Sequence, residues 1–187
     1  FTLGSFNNYL KISGDTIIAW SEILKKINNS KLILKSSVSY SEIHFKKLFE
    51  NEGVLDRVVF KNKSSNLEEH INLYKDIDLC LDTFPYTGVT TTCEALWMNI
   101  PVISMEGFNF NSRCGESILI NSNLKDLVAK NKDDYISKVL SFANDLDKLE
   151  KTRKFIFDEV LKTNTFNTKK FASNFWKSIL DTYSNHK

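Results

Sequence analysis

Three consecutive threonines, Thr90-Thr91-Thr92, with Glu94 one helical turn in, are the residues of this chain best suited to chemistry. They close the run Leu81-Asp82-Thr83-Phe84-Pro85-Tyr86-Thr87-Gly88-Val89, in which an apolar stretch ends at Asp82 and a turn carries Pro85 and Gly88. A helix that starts in the threonines has backbone N–H groups without intrahelical partners there, at the positive end of its dipole. Small hydroxyl side chains and a glycine let an anion approach that end closely, and a diphosphate suits it. Glu94 could then accept hydrogen bonds from two ribose hydroxyls, as acidic residues do in dinucleotide sites. Thr91-x-x-Glu94 is equally a capping box, in which the glutamate folds back on the helix start. Both uses compete for one carboxylate.

Two further segments carry groups of interest. In Phe6-Asn7-Asn8-Tyr9-Leu10-Lys11-Ile12, Asn8 offers an amide for a base edge or a phosphate, and Lys11 offers a point charge for a phosphate. A polar loop with a solvated lysine is the structural alternative. In Glu68-Glu69-His70 the histidine is a candidate contact, although acidic residues in a first turn also complement the helix dipole. Other chemistries lack their residues. There is no Cys-x-x-Cys or His-Glu-x-x-His, so neither a metal nor another cofactor is expected. Gly-x-x-x-x-Gly-Lys-Ser/Thr, Gly-x-Gly-x-x-Gly and Gly-x-Ser-x-Gly are all missing, which argues against P-loop, dehydrogenase and hydrolase sites.

The elements around these groups follow from periodicity. Short apolar runs at residues 2–6, 31–35, 57–60, 77–82 and 101–105 predict strands. Amphipathic runs at 15–27, 41–51, 67–75 and 91–98 predict helices between them, the first with Ile17, Ile18, Trp20, Ile23, Leu24 and Ile27 at helical spacing. Regular alternation of this kind predicts an α/β fold: a Rossmann-like parallel sheet with helices on both faces. Residues 106–115 are expected to form a loop. Helices are expected at 117–121, 124–129, 133–146, 149–161 and 166–183. A single domain over 1–187 results, with a Rossmann-like core at 1–122 and a helical C-terminal extension at 123–187. In such sheets ligands bind outside the carboxyl ends of the strands, where all three candidate segments fall.

Composition sets outer bounds. The 187 residues are 42% apolar and 26% charged, ordinary values for a soluble globular chain. With 25 basic and 23 acidic residues the net charge is only +2, so neither a nucleic acid nor an anionic membrane surface is an expected partner. No apolar run approaches the ~20 residues of a membrane span. Three cysteines make a disulfide framework improbable, and a cytoplasmic location is expected. The chain opens on Phe1 inside an expected strand, without an initiator Met, so a longer polypeptide is expected.

The run Leu79–Trp97 resembles the donor-binding motif of O-linked N-acetylglucosamine transferases and their SPINDLY-like relatives. Phe6-Asn7-Asn8 with Lys11-Ile12, Glu68-Glu69-His70, Pro101-Val102, Ser112-Arg113 with Gly115, and Phe166-Asn167-Thr168 follow that family's order, so the likeness covers essentially the whole chain. It implies the C-terminal, donor-binding lobe of a two-lobed GT-B glycosyltransferase. It also implies a UDP-sugar donor, most simply UDP-N-acetylglucosamine, and inverting, metal-independent transfer to protein Ser or Thr. Carried over by position, Asn8 would contact the donor and Lys11 would neutralise the diphosphate as UDP departs. His70 would approach the uracil or ribose. Thr90, Thr91 and Thr92 would bind the diphosphate and Glu94 the ribose. Val89 stands where animal members carry a histidine, and Leu67 where they carry a lysine. A plant relative uses GDP-fucose, so another nucleotide-sugar transferase or an epimerase is an alternative, as is a non-catalytic interaction domain. The protein acceptor would engage an N-terminal lobe or helical repeats that this sequence lacks.

Overall fold

Every expected strand forms, and all pair in parallel. In the computed structural model, which describes residues 1–35, 39–62 and 64–185, six strands line up as β3-β2-β1-β4-β5-β6. They are β1 (Thr2–Ser5), β2 (Lys31–Lys35), β3 (Val58–Lys61), β4 (Leu79–Leu81), β5 (Val102–Met105) and β6 (Val128–Ala129). Leu3 pairs with Leu32 on one side and Leu79 on the other, so β1 sits at the centre. The central strands are buried because helices cover them; β4 is apolar throughout, while β1 sets small residues around Leu3.

The helices alternate with the strands. They are α1 (Gly14–Lys26), α2 (Ser39–Asn51), α3 (Leu67–Asn72), α4 (Thr90–Trp97), α5 (Cys114–Asn121), α6 (Lys132–Ala143), α7 (Leu146–Glu159) and α8 (Thr168–Asn185). Right-handed crossovers that run outward from β1 in one direction and from β4 in the other put α1 and α2 on one face and α4 and α5 on the opposite one. The strand order therefore reverses between β1 and β4. The carboxyl ends of those two strands open a crevice at the reversal point.

The two strands are locked together from several sides. The α1 cap, Ser13, and its neighbour Thr16 both donate to the Phe84 carbonyl at 2.7 Å, tying the start of α1 to the loop after β4. Gly4 is the close-approach residue of β1, since a Cβ there would lie 2.7 Å from the Ile77 side chain. Trp20 on α1 is fully buried and donates to the Tyr135 hydroxyl of α6 at 3.2 Å, and that hydroxyl donates to the Asp82 carbonyl at 2.8 Å.

The second half departs from the sequence-based expectation. The helix expected at 124–129 is a 3₁₀ turn, Lys125–Leu127, followed by β6, which pairs with Ser104 and Met105. A two-residue strand is too short for periodicity to reveal. The sheet and the core consequently continue past residue 122: Leu124, Leu127, Ala129, Tyr135, Phe142, Ile156 and Val160 belong to the same buried cluster as Leu3 and Trp20. The helix expected to begin at 149 begins at Leu146, because Asp145 accepts from the Lys148 N–H at 2.8 Å and caps it. No residue of α8 is buried; Phe171, Phe175, Trp176 and Leu180 are exposed along it. Among the described residues no helix is long and apolar enough to cross a membrane.

Tyr135→Phe strands the Trp20 N–H and removes a donor from the Asp82 carbonyl. Urea unfolding should show a loss of roughly 1–3 kcal/mol, the usual cost of a buried unsatisfied partner; an unchanged midpoint would contradict this role for the hydroxyl.

Candidate functional site

The crevice between β1 and β4 is built on a buried carboxylate. Asp82, the charged residue that follows β4, is 2% exposed. Its Oδ1 accepts from the Asn7 amide at 3.0 Å, from the Thr83 N–H at 2.9 Å and from the Gly88 N–H at 2.6 Å. Its Oδ2 accepts from the Ser104 hydroxyl of β5 at 2.7 Å. Burial pushes the carboxyl above the ordinary carboxylate range, while Ser104, Gly88, Asn7 and Thr83 pull the other way by bonding the charged form. Asn7 extends this network: its Oδ1 accepts from the Thr91 hydroxyl at 2.6 Å. The loop after β1 is thereby fastened to the first turn of α4.

Two glycines make that fastening possible. A Cβ on Gly88 would lie 2.7 Å from the hydroxyls of both Thr91 and Thr92, and one on Gly115 would lie 2.5 Å from Asp82 Oδ2. The Gly115 N–H donates to the Thr87 hydroxyl at 3.0 Å, so the start of α5 leans on the same loop.

The helix that begins in the threonines starts at Thr90, with Val89 as its N-cap residue and no side-chain cap. By contrast α1, α3, α6 and α7 are capped by Ser13, Asn66, Asn131 and Asp145. The N–H groups of Thr90, Thr91 and Thr92 thus point from an uncapped positive helix end toward the crevice. The capping box does not form. Glu94 turns away from the helix start: its Oε2 lies 2.9 Å from His70 Nε2 and accepts from the Tyr74 hydroxyl at 3.2 Å. Burial, with the acidic neighbours Cys80 and Glu94 adding to it, pushes the Tyr74 hydroxyl far up, so it remains a donor. Glu94 Oε1 has no hydrogen-bond partner among the described residues.

Lys11 reaches the same loop from the other side. It donates to the Thr87 carbonyl at 2.9 Å and lies 4.2 Å from the centroid of the Tyr86 ring. Its ammonium has three donors, so these contacts leave capacity for an anion. Lys35, buried at the carboxyl end of β2, contacts His70 Nδ1.

Thr90, Thr91, Thr92 and Glu94 on α4 are thus joined by His70, which bonds Glu94, and by Lys11, which bonds the loop leading into the helix. Asn8 lies at the turn that carries Lys11 and is not bonded to the threonines. Its side chain accepts from the Leu10 N–H at 3.0 Å, caps the 3₁₀ turn Tyr9–Lys11 and is exposed. The amide brought to the threonines is Asn7, because the chain leaving β1 turns residue 7 inward. Asn7, Asp82, Ser104, Tyr74 and Lys35 were not singled out from sequence. Asp82 alone carried a signal, an acidic residue closing an otherwise apolar strand run.

The model of glycosyl transferase family 41 matches residues 2–175. The chain is 38% identical over 156 residues to a protein of Eustoma exaltatum named as a probable UDP-N-acetylglucosamine–peptide N-acetylglucosaminyltransferase SPINDLY, covering 81% of this chain and 17% of that protein. Its likeness to the barley protein of the same name is 34% over 169 residues, covering 87% of this chain and 18% of that protein. Among solved structures, a mutant O-GlcNAc transferase of Thermobaculum terrenum superposes with a TM-score of 0.86 at 27% identity, over 97% of this chain and 35% of that one. The lipopolysaccharide glycosyltransferase WaaG shares the fold, with a TM-score of 0.70 at 13% identity over 93% of this chain and 46% of that one. The chain thus spans under a fifth of the length of these plant relatives.

Asp82→Ala leaves the Asn7 amide, the Gly88 N–H and the Ser104 hydroxyl without their acceptor. Chemical denaturation should report a loss of about 3 kcal/mol or more. Asp82→Asn should keep most of the stability, since its amide oxygen still accepts and its NH₂ can donate to Ser104. Equal losses in both variants would show that charge, not hydrogen-bond geometry, is what Asp82 supplies.

Proposed function

Because the chain belongs to glycosyl transferase family 41, we propose that it is the donor-binding lobe of an inverting transferase that moves N-acetylglucosamine from UDP-N-acetylglucosamine to Ser or Thr of proteins. The observation that carries the site is the side-chain-uncapped start of α4, placed where the strand order reverses and faced by Lys11. An anion there gains N–H groups at a positive helix end with no competing cap to displace. Glu94, one turn in, holds one oxygen in place with His70 and Tyr74 and has the other for ribose hydroxyls. A diphosphate over Thr90–Thr92 with a ribose beside Glu94 uses both features.

In the reaction, an acceptor hydroxyl attacks the anomeric carbon from the face opposite the diphosphate. The new C–O bond forms as the bond to the diphosphate breaks, and the departing diphosphate takes the electron pair. The start of α4 and the Lys11 ammonium stabilise the charge that develops on it, and they are in place before the reaction begins. This needs no metal. The hydroxyl proton goes to a base on the remainder of the longer protein, which also supplies the acceptor groove. The apolar residues exposed along α8 fit a helix that this remainder covers.

Calorimetric titration with UDP, GDP, UDP-N-acetylglucosamine and GDP-fucose tests site and base together. UDP and its N-acetylglucosamine sugar should bind; a preference for the guanine pair would change the donor, and silence toward all four would end the transferase reading. In the full-length protein Lys11→Ala should lower kcat by about 10²-fold, the usual cost of removing one charge-stabilising donor. Undiminished turnover would remove Lys11 from that role.

A further inference from the structure

We propose that Lys35 is a positioning residue for the nucleoside end of this site: it holds the orientation of His70, and through His70 it aims Glu94 at the ribose. This rests on the nucleotide-sugar reading above. Lys35 is 8% exposed at the carboxyl end of β2, with its ammonium near the Phe6 ring and against His70 Nδ1. An ammonium donates and never accepts. The nitrogen that meets it must therefore offer a lone pair, so the ring proton resides on Nε2. That proton faces Glu94 Oε2 at 2.9 Å. The Tyr74 hydroxyl donates to the same oxygen at 3.2 Å, and the edges of the Phe6 and Tyr74 rings flank the imidazole.

The consequence falls on Glu94. With Oε2 held by two donors, the carboxylate keeps one orientation, and Oε1 is left without a hydrogen-bond partner among the described residues. Without the Lys35 ammonium, Nδ1 loses its donor, and no other hydrogen bond among the described residues holds that side of the ring. The imidazole can then rotate, which takes its Nε2–H out of line with Oε2 and releases Glu94. Lys35 lies at β2, outside the three segments from which the donor contacts were drawn, and it need not touch the ligand to act.

The test uses the chain labelled with ¹⁵N-histidine, with His70 assigned by the signal lost in His70→Gln. Long-range ¹H–¹⁵N correlations should report an Nε2–H ring with a hydrogen-bonded Nδ1 in the wild type, and in Lys35→Met an Nδ1 signal shifted by loss of that bond. Binding is then measured for UDP or GDP, whichever binds, and for its 2′,3′-dideoxy analogue. The wild type should favour the ribonucleotide by about 10-fold or more, the usual worth of hydrogen bonds to a charged group. Lys35→Met should narrow that preference to about 3-fold or less while affinity for the dideoxy compound stays nearly constant. Lys35→Arg keeps a donor-only cation and should restore both the Nδ1 signal and the preference. Unchanged His70 nitrogen shifts with full ribose preference in Lys35→Met would overturn the inference. A wild type that binds no nucleotide would overturn the donor reading and the ribose role with it, while the nitrogen shifts would still decide whether Lys35 holds His70.

Discussion

Asp82 puts a carboxylate where water does not reach, and the rest of the site is arranged around satisfying it. An ionised group cannot be left bare in such a place, because losing its hydration costs several kcal/mol unless protein donors replace the water. Here the donors come from the loop after β1, the loop after β4 and strand β5. Each gives up its freedom to the same two oxygens. The result is a loop whose Gly88 N–H is drawn inward and an Asn7 whose remaining oxygen fixes Thr91. The start of α4 is therefore positioned by a network that lies beneath it, and its own N–H groups remain uncommitted.

That division of labour explains an apparent waste. A cap contributes about 1 kcal/mol to a helix, and α1, α3, α6 and α7 each have one. At α4 the N-cap residue is Val89, whose side chain carries no acceptor, while Thr91 bonds Asn7 and Glu94 bonds His70 and Tyr74. The stability forgone there is offset by burial around it: the strand that leads into the helix is enclosed, and Tyr135 and Trp20 anchor its end from the opposite face. A helix start that is rigid but unsaturated is what an anion site requires, since donors already in place need no reorganisation when charge arrives.

How much of this could be read from the residues divides along a physical line. The alternation of apolar and amphipathic runs revealed the parallel sheet, because burial on both faces leaves a pattern in every strand longer than three or so residues. It did not reveal β6, whose two residues are too few for any period. The threonine run announced the helix start because helix termini are local features. Its competitor, the capping box, was local too, and only the approach of His70 from α3 and Tyr74 beside it decided between the two uses of Glu94. The choice between Asn7 and Asn8 was likewise undecidable from type: both are amides in one loop, and which one faces inward depends on the direction the chain takes on leaving β1. Asp82 and Lys35 stayed hidden for the same reason. Their partners lie far along the chain, and a buried charge declares itself only through them.

The site also has a direction, which follows from where its charges sit along α4. Thr90 and Glu94 are four residues apart, about 6 Å along the axis at ~1.5 Å per residue. Lys11 and Tyr86 flank the loop that leads into the helix, while His70 and Lys35 gather beside its first full turn. A cation and open N–H groups at one end, and a carboxylate with a free oxygen at the other, cannot be satisfied by a simple anion. They suit a molecule whose negative charge and neutral hydroxyls are held about one helical turn apart. Such a molecule would bind with its hydroxyl-bearing end toward β2 and α3, and whatever extends beyond its charge would point past Lys11, away from them. The order β3-β2-β1-β4 makes this possible, because only at the reversal can a side chain from β2's side and a helix start from β4's side meet over the same stretch of sheet.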